Sequence, residues 1–246
     1  MKPAGGVAAA GKSLSNPFMN ILVMRKSFFL IFLLLTLCAC TRTDMRQVVK
    51  TLAEQPVDTA GFTRRTIQTV PFSALVVDCF ADVTYHQDTT RCCVVIQAPE
   101  AVCEGMRADV SEGVLRIGLD SHYRMPKNVV AVCHVYAPAV GAFELNGGKC
   151  LRLGRLVLQA PLRVELNGVG TVASDELHAP AITAMLDGAG TMDLDGIDTP
   201  QLRAELNGVG DIFLGGRTAH KQVMVNGEGN VDTTNLVTVK QLPLSN

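Results

Sequence analysis

Three glutamates, Glu144, Glu165 and Glu205, recur at one position of a repeated phrase. Paired carboxylates at close range are the machinery of glycoside hydrolysis. On adjacent strands such residues stand about 4.8 Å apart. Arg163 and Arg203 precede two of the glutamates by two residues, so they share their face, where opposite charge offsets carboxylate repulsion. The plainer account is a solvated charge ladder. Met185 and Met224 take the same position in other copies, and nothing else converges on it. The histidines (His86, His122, His134, His178 and His220) are scattered, with neither a Gly-x-Ser-x-Gly elbow nor a His-Glu-x-x-His helix. No nucleophile sits beside a base at recognisable spacing, so no catalytic residue is assigned.

Cofactor and metal signals are weak as well. The recurring Gly-x-Gly lacks the third glycine and the following helix of a dinucleotide loop. Calcium-binding β-roll repeats have a nine-residue period, unlike this one. Cys79, Cys92, Cys93, Cys103, Cys133 and Cys150 follow the leader. Cys92-Cys93 is not a Cys-x-x-Cys pair, and no histidine lies at ligand spacing, so neither zinc nor any cofactor is expected. Export permits disulfides, and six cysteines allow fifteen pairings. Several of these cysteines lie in apolar strand-like runs, where a free thiol acts as a small buried hydrophobe. Both states stay open at this level.

The elements that position these residues repeat. The phrase reads Glu144-Leu145-Asn146-Gly147-Gly148, then Glu165-Leu166-Asn167-Gly168-Val169-Gly170, then Met185-Leu186-Asp187-Gly188-Ala189-Gly190. It returns as Glu205-Leu206-Asn207-Gly208-Val209-Gly210 and Met224-Val225-Asn226-Gly227-Glu228-Gly229. The Asn/Asp positions are separated by 21, 20, 20 and 19 residues. Before each corner apolar and polar residues alternate, and an inward position recurs after it at Leu151, Val172, Met192, Ile212 and Val231. Each repeat thus supplies two short strands and a corner, with glycines that tolerate positive φ. The expectation is an all-β fold: a right-handed parallel β-helix or solenoid with coils of about 20 residues over 140–240. The aligned Asn146, Asn167, Asp187, Asn207 and Asn226 would then form a side-chain ladder. Asn-Gly is also the strongest hairpin signal, so a meander of hairpins competes. Constant repeat length and the second glycine favour the solenoid. A more irregular strand region is expected over 70–139, within a β domain spanning 69–240.

The N-terminus reads as a leader. Phe28 to Leu37 is an apolar run behind Arg25 and Lys26, too short to span a bilayer and of signal-peptide size. It ends Leu37-Cys38-Ala39-Cys40, which resembles a lipobox with Cys40 as the lipidated residue; an ordinary secretory signal is the alternative. Residues 1–40 are the lipoprotein signal, with Met24 a second candidate start, and 41–68 a polar tether. The leader holds Lys2, Lys12, Arg25 and Lys26 and no acid, so the remainder carries 18 basic and 23 acidic side chains. A net negative chain lacks the electrostatic footprint of a nucleic-acid binder. Trp is absent and aromatics are 5% of the chain, which lowers the expectation of a tight glycan site.

The Asn/Asp-Gly-x-Gly copies, with the opening stretch Thr66 to Val77, resemble the bacterial head GIN domain family, described as an auto-transporter adhesin domain and common in exported proteins and lipoproteins of Bacteroidota. The resemblance covers about residues 68–240. Asn146-Gly147-Gly148-Lys149 departs from the pattern, and Asn or Asp stands where the family has Ser. It implies a β-helix-like fold and carries no functional residues with it. The expected function is that of a non-enzymatic lipoprotein, exported and held in the outer membrane by its anchor. It would present a β-solenoid surface to a surface protein or glycan. A periplasmic scaffold that self-associates through an end coil is one alternative, and a polysaccharide-active β-helix enzyme is another.

Overall fold

The computed structural model describes residues 55–240, so the leader, Cys40 and the first part of the tether lie outside the described residues. Each strand alternates inward and outward residues, as a one-face-buried strand must. Leu162–Leu166 shows this pattern, with Leu162, Val164 and Leu166 buried and Arg163 exposed. The chain coils by placing one such strand beside its equivalent from the neighbouring repeat, and all these pairings are parallel. The result is a parallel β-solenoid.

One sheet face consists of β6 (Val114–Leu119), β2 (Ala74–Val77), β8 (Ala142–Leu145), β10 (Leu162–Leu166) and β12 (Ile182–Leu186). It continues into the second halves of β13 (Ala189–Leu206) and β14 (Val209–Val225). The other face consists of β7 (Ala131–Ala137), β3 (Ala81–Gln87), β9 (Cys150–Val157) and β11 (Val169–His178). It continues into the first halves of β13 and β14 and ends at β15 (Glu228–Thr238). Between the faces, inward residues stack in columns. Leu145, Leu166, Leu186 and Leu206 form one column, and Leu151, Val172, Met192 and Ile212 another, all fully buried. Each such side chain contributes about 1.5–3 kcal/mol by leaving water.

The solenoid begins well before residue 140, unlike the expected division into a strand region and a later stack. The coil of β2 and β3 lies between the coil of β6 and β7 and the coil of β8 and β9. Spatial order and chain order therefore differ over this half. The first-coil end of the stack is covered by antiparallel strands: β5 (Met106–Ser111) pairs with β6, and β4 (Cys93–Ala98) with β7. The strand β1 (Thr63–Gln68) pairs with β4, so the last six residues of the expected tether form an edge strand instead. A six-residue helix, α1 (Glu100–Gly105), connects β4 to β5. At the other end, among the described residues, the second half of β14 and β15 each pair on one side only.

All six described cysteines are free thiols. Cys79, Cys103 and Cys133 are buried among core side chains, as apolar fillers are. Burial pushes the Cys79 thiol up to about 12 and the Cys150 thiol up to about 11.

Candidate functional site: the corner ladder and the charged face

Four successive corners turn by one device. The backbone N–H groups of Asn167 and Gly168 both donate to the carbonyl of Leu145, at 3.0 and 3.2 Å. Asp187 and Gly188 donate to Leu166, Asn207 and Gly208 to Leu186, and Asn226 and Gly227 to Leu206. The corner glycines press on the coil before them. A Cβ on Gly168, Gly188, Gly208 or Gly227 would fall on backbone atoms of the preceding corner, far inside the 3.0 Å that real Cβ atoms respect. Gly147, at the broken first copy, has open space at that position.

This geometry lines up the side chains just before the glycines. Asn167 Nδ2 donates to Asn146 Oδ1 at 3.3 Å and to Glu144 Oε1 at 3.1 Å. Asn207 Nδ2 donates to Asp187 Oδ1 at 2.6 Å, and Asn226 Nδ2 to Asn207 Oδ1 at 2.9 Å. The row also extends where sequence reasoning missed it, because Asn146 Nδ2 donates to Asp78 Oδ1 at 2.7 Å. Arg116 in turn donates to Asp78 Oδ2 at 2.5 Å. Asp78 ends Leu75-Val76-Val77-Asp78, the same apolar-x-apolar-acid/amide pattern without the glycines, and that was its signal. Beyond the ladder, Val169, Ala189, Val209 and Glu228 stand in register on an exposed ridge.

Glu144, Glu165, Met185, Glu205 and Met224 occupy one outward column. Each carboxylate already has a partner: Arg163 donates to Glu165, Arg203 to Glu205, and Asn167 to Glu144. The column is a paired charge ladder. It brings no carboxylate against a second acid across a cleft, as hydrolysis of a glycoside requires.

The histidines divide. His86 and His134 meet, with His86 Nε2 3.1 Å from His134 Nδ1, and His86 stacks on Tyr136 at 4.8 Å between centroids. The Arg91 guanidinium lies over the Tyr136 ring at 3.8 Å and pairs with Asp88. Partial burial, then the neighbouring His134 and Arg91, lower the pKa of His86. Burial and then Arg64 lower that of His134. Burial and the neighbouring cations thus disfavour protonation of both imidazoles, against the smaller opposing pull of Asp88 on His86 and of Asp82 on His134. His178 lies 2.7 Å from Glu176 and 3.3 Å from Asp198, and Arg217 also binds Asp198. His220 lines a shallow groove of about 410 Å³ with Gln201, Arg203, Lys221 and Gln222. Asp82 is 4% exposed and is held by Arg152 and Lys149. Among the described residues no group of three or more His, Cys, Asp or Glu is placed to hold a metal ion. Among the same residues no helix is long and apolar enough to cross a membrane.

Known proteins show similarity to this chain. The chain is similar over 69% of its length, and over 95% of the other, to the crystal structure of a putative adhesin from Bacteroides fragilis, at 17% identity and a TM-score of 0.47. It is similar over 70% to a putative lipid binding protein from Parabacteroides distasonis, covering 97% of that chain at 11% identity and a TM-score of 0.45. A putative adhesin from the same species matches at 14% identity and a TM-score of 0.40, again over 70% of this chain and 97% of that one. No curated protein matches significantly. The family model described as "Putative auto-transporter adhesin, head GIN domain" matches residues 71–241, which is more than half of the sequence, and the chain belongs to that family.

Proposed function

We propose that this protein is a lipid-anchored component of the bacterial cell envelope. Its solenoid faces outward, binds an extended partner, either a surface protein or a glycan, and does no chemistry on it. The observation that carries this reading is the register of the corner. Coil after coil offers an amide or carboxylate beside the same exposed ridge, from Asn167 through Asn226. A surface that repeats at strand spacing, about 4.8 Å, suits a partner with its own repeat and gives each contact several equivalent neighbours. The side chains that serve chemistry elsewhere are occupied here by structural partners, in the glutamate column and in the His86–His134 pair. The family's adhesin description points the same way. The leader with Cys40 supplies the anchor in this reading, and the polar stretch after it supplies the reach.

The test uses intact cells. Val169→Glu with Val209→Glu charges the ridge at two strongly exposed positions, and should leave folding unchanged while reducing retention of cells on immobilised glycan or protein surfaces. Cys40→Ala should release the protein from the membrane fraction. Unchanged retention in the ridge variant, or release of shortened polysaccharide products by the wild type, would refute the binding reading. Unaltered fractionation of Cys40→Ala would refute the anchor.

A further inference from the structure

Asparagine before glycine is chemically labile, because glycine has no Cβ and its nitrogen can reach the side-chain amide carbon. The pair stands at four corners of this chain, and the fold protects three of them. In Asn167-Gly168, Asn207-Gly208 and Asn226-Gly227 the glycine N–H is spent on the coil before, at 3.2, 2.9 and 2.9 Å from the carbonyls of Leu145, Leu186 and Leu206. Each of these glycines also presses on the backbone of the preceding corner, so its peptide has no room to turn.

The fourth pair, Asn146-Gly147, is held differently. Its stack neighbour is the Asp78-Cys79 turn, which carries no glycine. The Asn146 N–H donates to Val77 at 2.9 Å and the Gly148 N–H to Val169 at 3.1 Å. Among the described residues, the Gly147 N–H between them meets no acceptor. Space is open where a Gly147 Cβ would stand. The Asn146 side chain, by contrast, is fixed: its Nδ2 donates to Asp78 at 2.7 Å, and its Oδ1 accepts from Asn167 Nδ2 at 3.3 Å. The second bond draws electrons from Cγ and lies where negative charge gathers on Oδ1 during attack at that carbon.

We propose that Asn146-Gly147 is a self-modification site, where the asparagine becomes aspartate and isoaspartate in the folded protein while the other three pairs stay intact. The Gly147 nitrogen gives its proton to hydroxide and bonds to Asn146 Cγ. The Cγ–Nδ2 bond breaks, and the amide nitrogen takes a proton from water and leaves as ammonia. Water then opens the cyclic imide. Cleavage at Cγ leaves aspartate, and cleavage at the backbone carbonyl leaves isoaspartate, whose main chain runs through Cγ. The ladder accepts a carboxylate where an amide donates to it, as Asn207 does to Asp187 at 2.6 Å. At position 146 the neighbour is instead Asp78, an acid whose other oxygen is taken by Arg116. The product therefore loses a hydrogen bond and gains a like-charge contact. The reaction loosens the join between the coil of β2 and the coil of β8, and adds negative charge to an exposed corner.

Peptide mapping by mass spectrometry, on the full chain aged at mildly alkaline pH, reads conversion at all four asparagines. Asn146 should convert about tenfold or more faster than Asn167, Asn207 or Asn226, each of which must first break its corner bonds. In urea the four should convert at similar rates, because folding makes the difference. Gly147→Ala has room for its methyl group, and should keep the fold while slowing Asn146 to the rate of the others. Equal rates in the folded chain would overturn the proposal, as would an intact Asn146 or a lead for Asn146 that survives in urea. Undiminished conversion in Gly147→Ala would overturn it too, because water rather than the Gly147 nitrogen would then be the nucleophile.

Discussion

Gly210→Ala is the sharpest probe of the coil-on-coil geometry. Gly210 has φ +143°, where an L side chain is strained, and that strain costs about 1–3 kcal/mol. Its added Cβ would land on the carbonyl oxygen of Gly190, well inside 3.0 Å, with the carbonyl carbon at 2.9 Å and the nitrogen at 3.1 Å. These are backbone atoms, so relief requires the two coils to part. Overpacking of this kind costs about 1–3 kcal/mol. Parting also lengthens the corner bond from Val209 N–H to Gly188 O, now 2.9 Å, for a further ~1 kcal/mol. The sum is about 3–7 kcal/mol, a large part of the stability of an ordinary domain. Gly147→Ala is the matched control, because its Cβ would meet nothing within 4 Å and should change stability by no more than about 0.5 kcal/mol. Urea denaturation followed by circular dichroism reads both. A Gly210→Ala midpoint equal to that of Gly147→Ala would show that the coils do not contact at their glycine corners.

Other parts of the structure make separate predictions. Phe143→Ala, which removes a fully buried ring packed edge-on to Tyr85 at 5.0 Å, should cost about 3–5 kcal/mol in the same denaturation experiment. Asp82→Ala should cost about 1–3 kcal/mol: it removes a buried carboxylate from Arg152 and Lys149, but both cations keep some solvent. Acid should weaken the fold in two steps. The folded-state pKa values of His86 and His134 are lowered, so their contribution is full above the ordinary histidine value of about 6.5 and is lost as pH falls through the lower folded values. Asp198 is also lowered, chiefly by its bond from Arg217, so its contribution disappears only below about pH 4. A pH series of melting temperatures should show the upper step disappear in His134→Gln and the lower one persist. Among the described cysteines, native alkylation should modify Cys92 first, since the other five are buried; rapid modification of Cys133 would contradict the core.

The second half of the fold was legible because each coil restates the last. The inward positions of Leu166, Leu186 and Leu206 repeat at constant spacing, and so do the amides just after them. The glutamate column was legible for the same reason, and so were Arg163 and Arg203, which share its face and donate to Glu165 and Glu205. The first half hid its membership of the stack. Val76 lies between Arg116 and Glu144, and Asp78 bonds Asn146 across 68 positions, so no periodic signal links them. The antiparallel strands at that end follow no repeat at all, because their work is to cover an edge, and β1 hid within a polar stretch whose residues are mostly exposed. The His86–Tyr136 stack was hidden for a related reason: the two residues are neighbours only through the register of β3 with β7.

The central claim, an envelope protein whose solenoid meets its partner outside the cell, is tested most directly by protease treatment of intact cells beside lysed ones. Digestion of the β domain on intact cells is the predicted result. Protection until lysis would contradict the claim and place the solenoid in the periplasm.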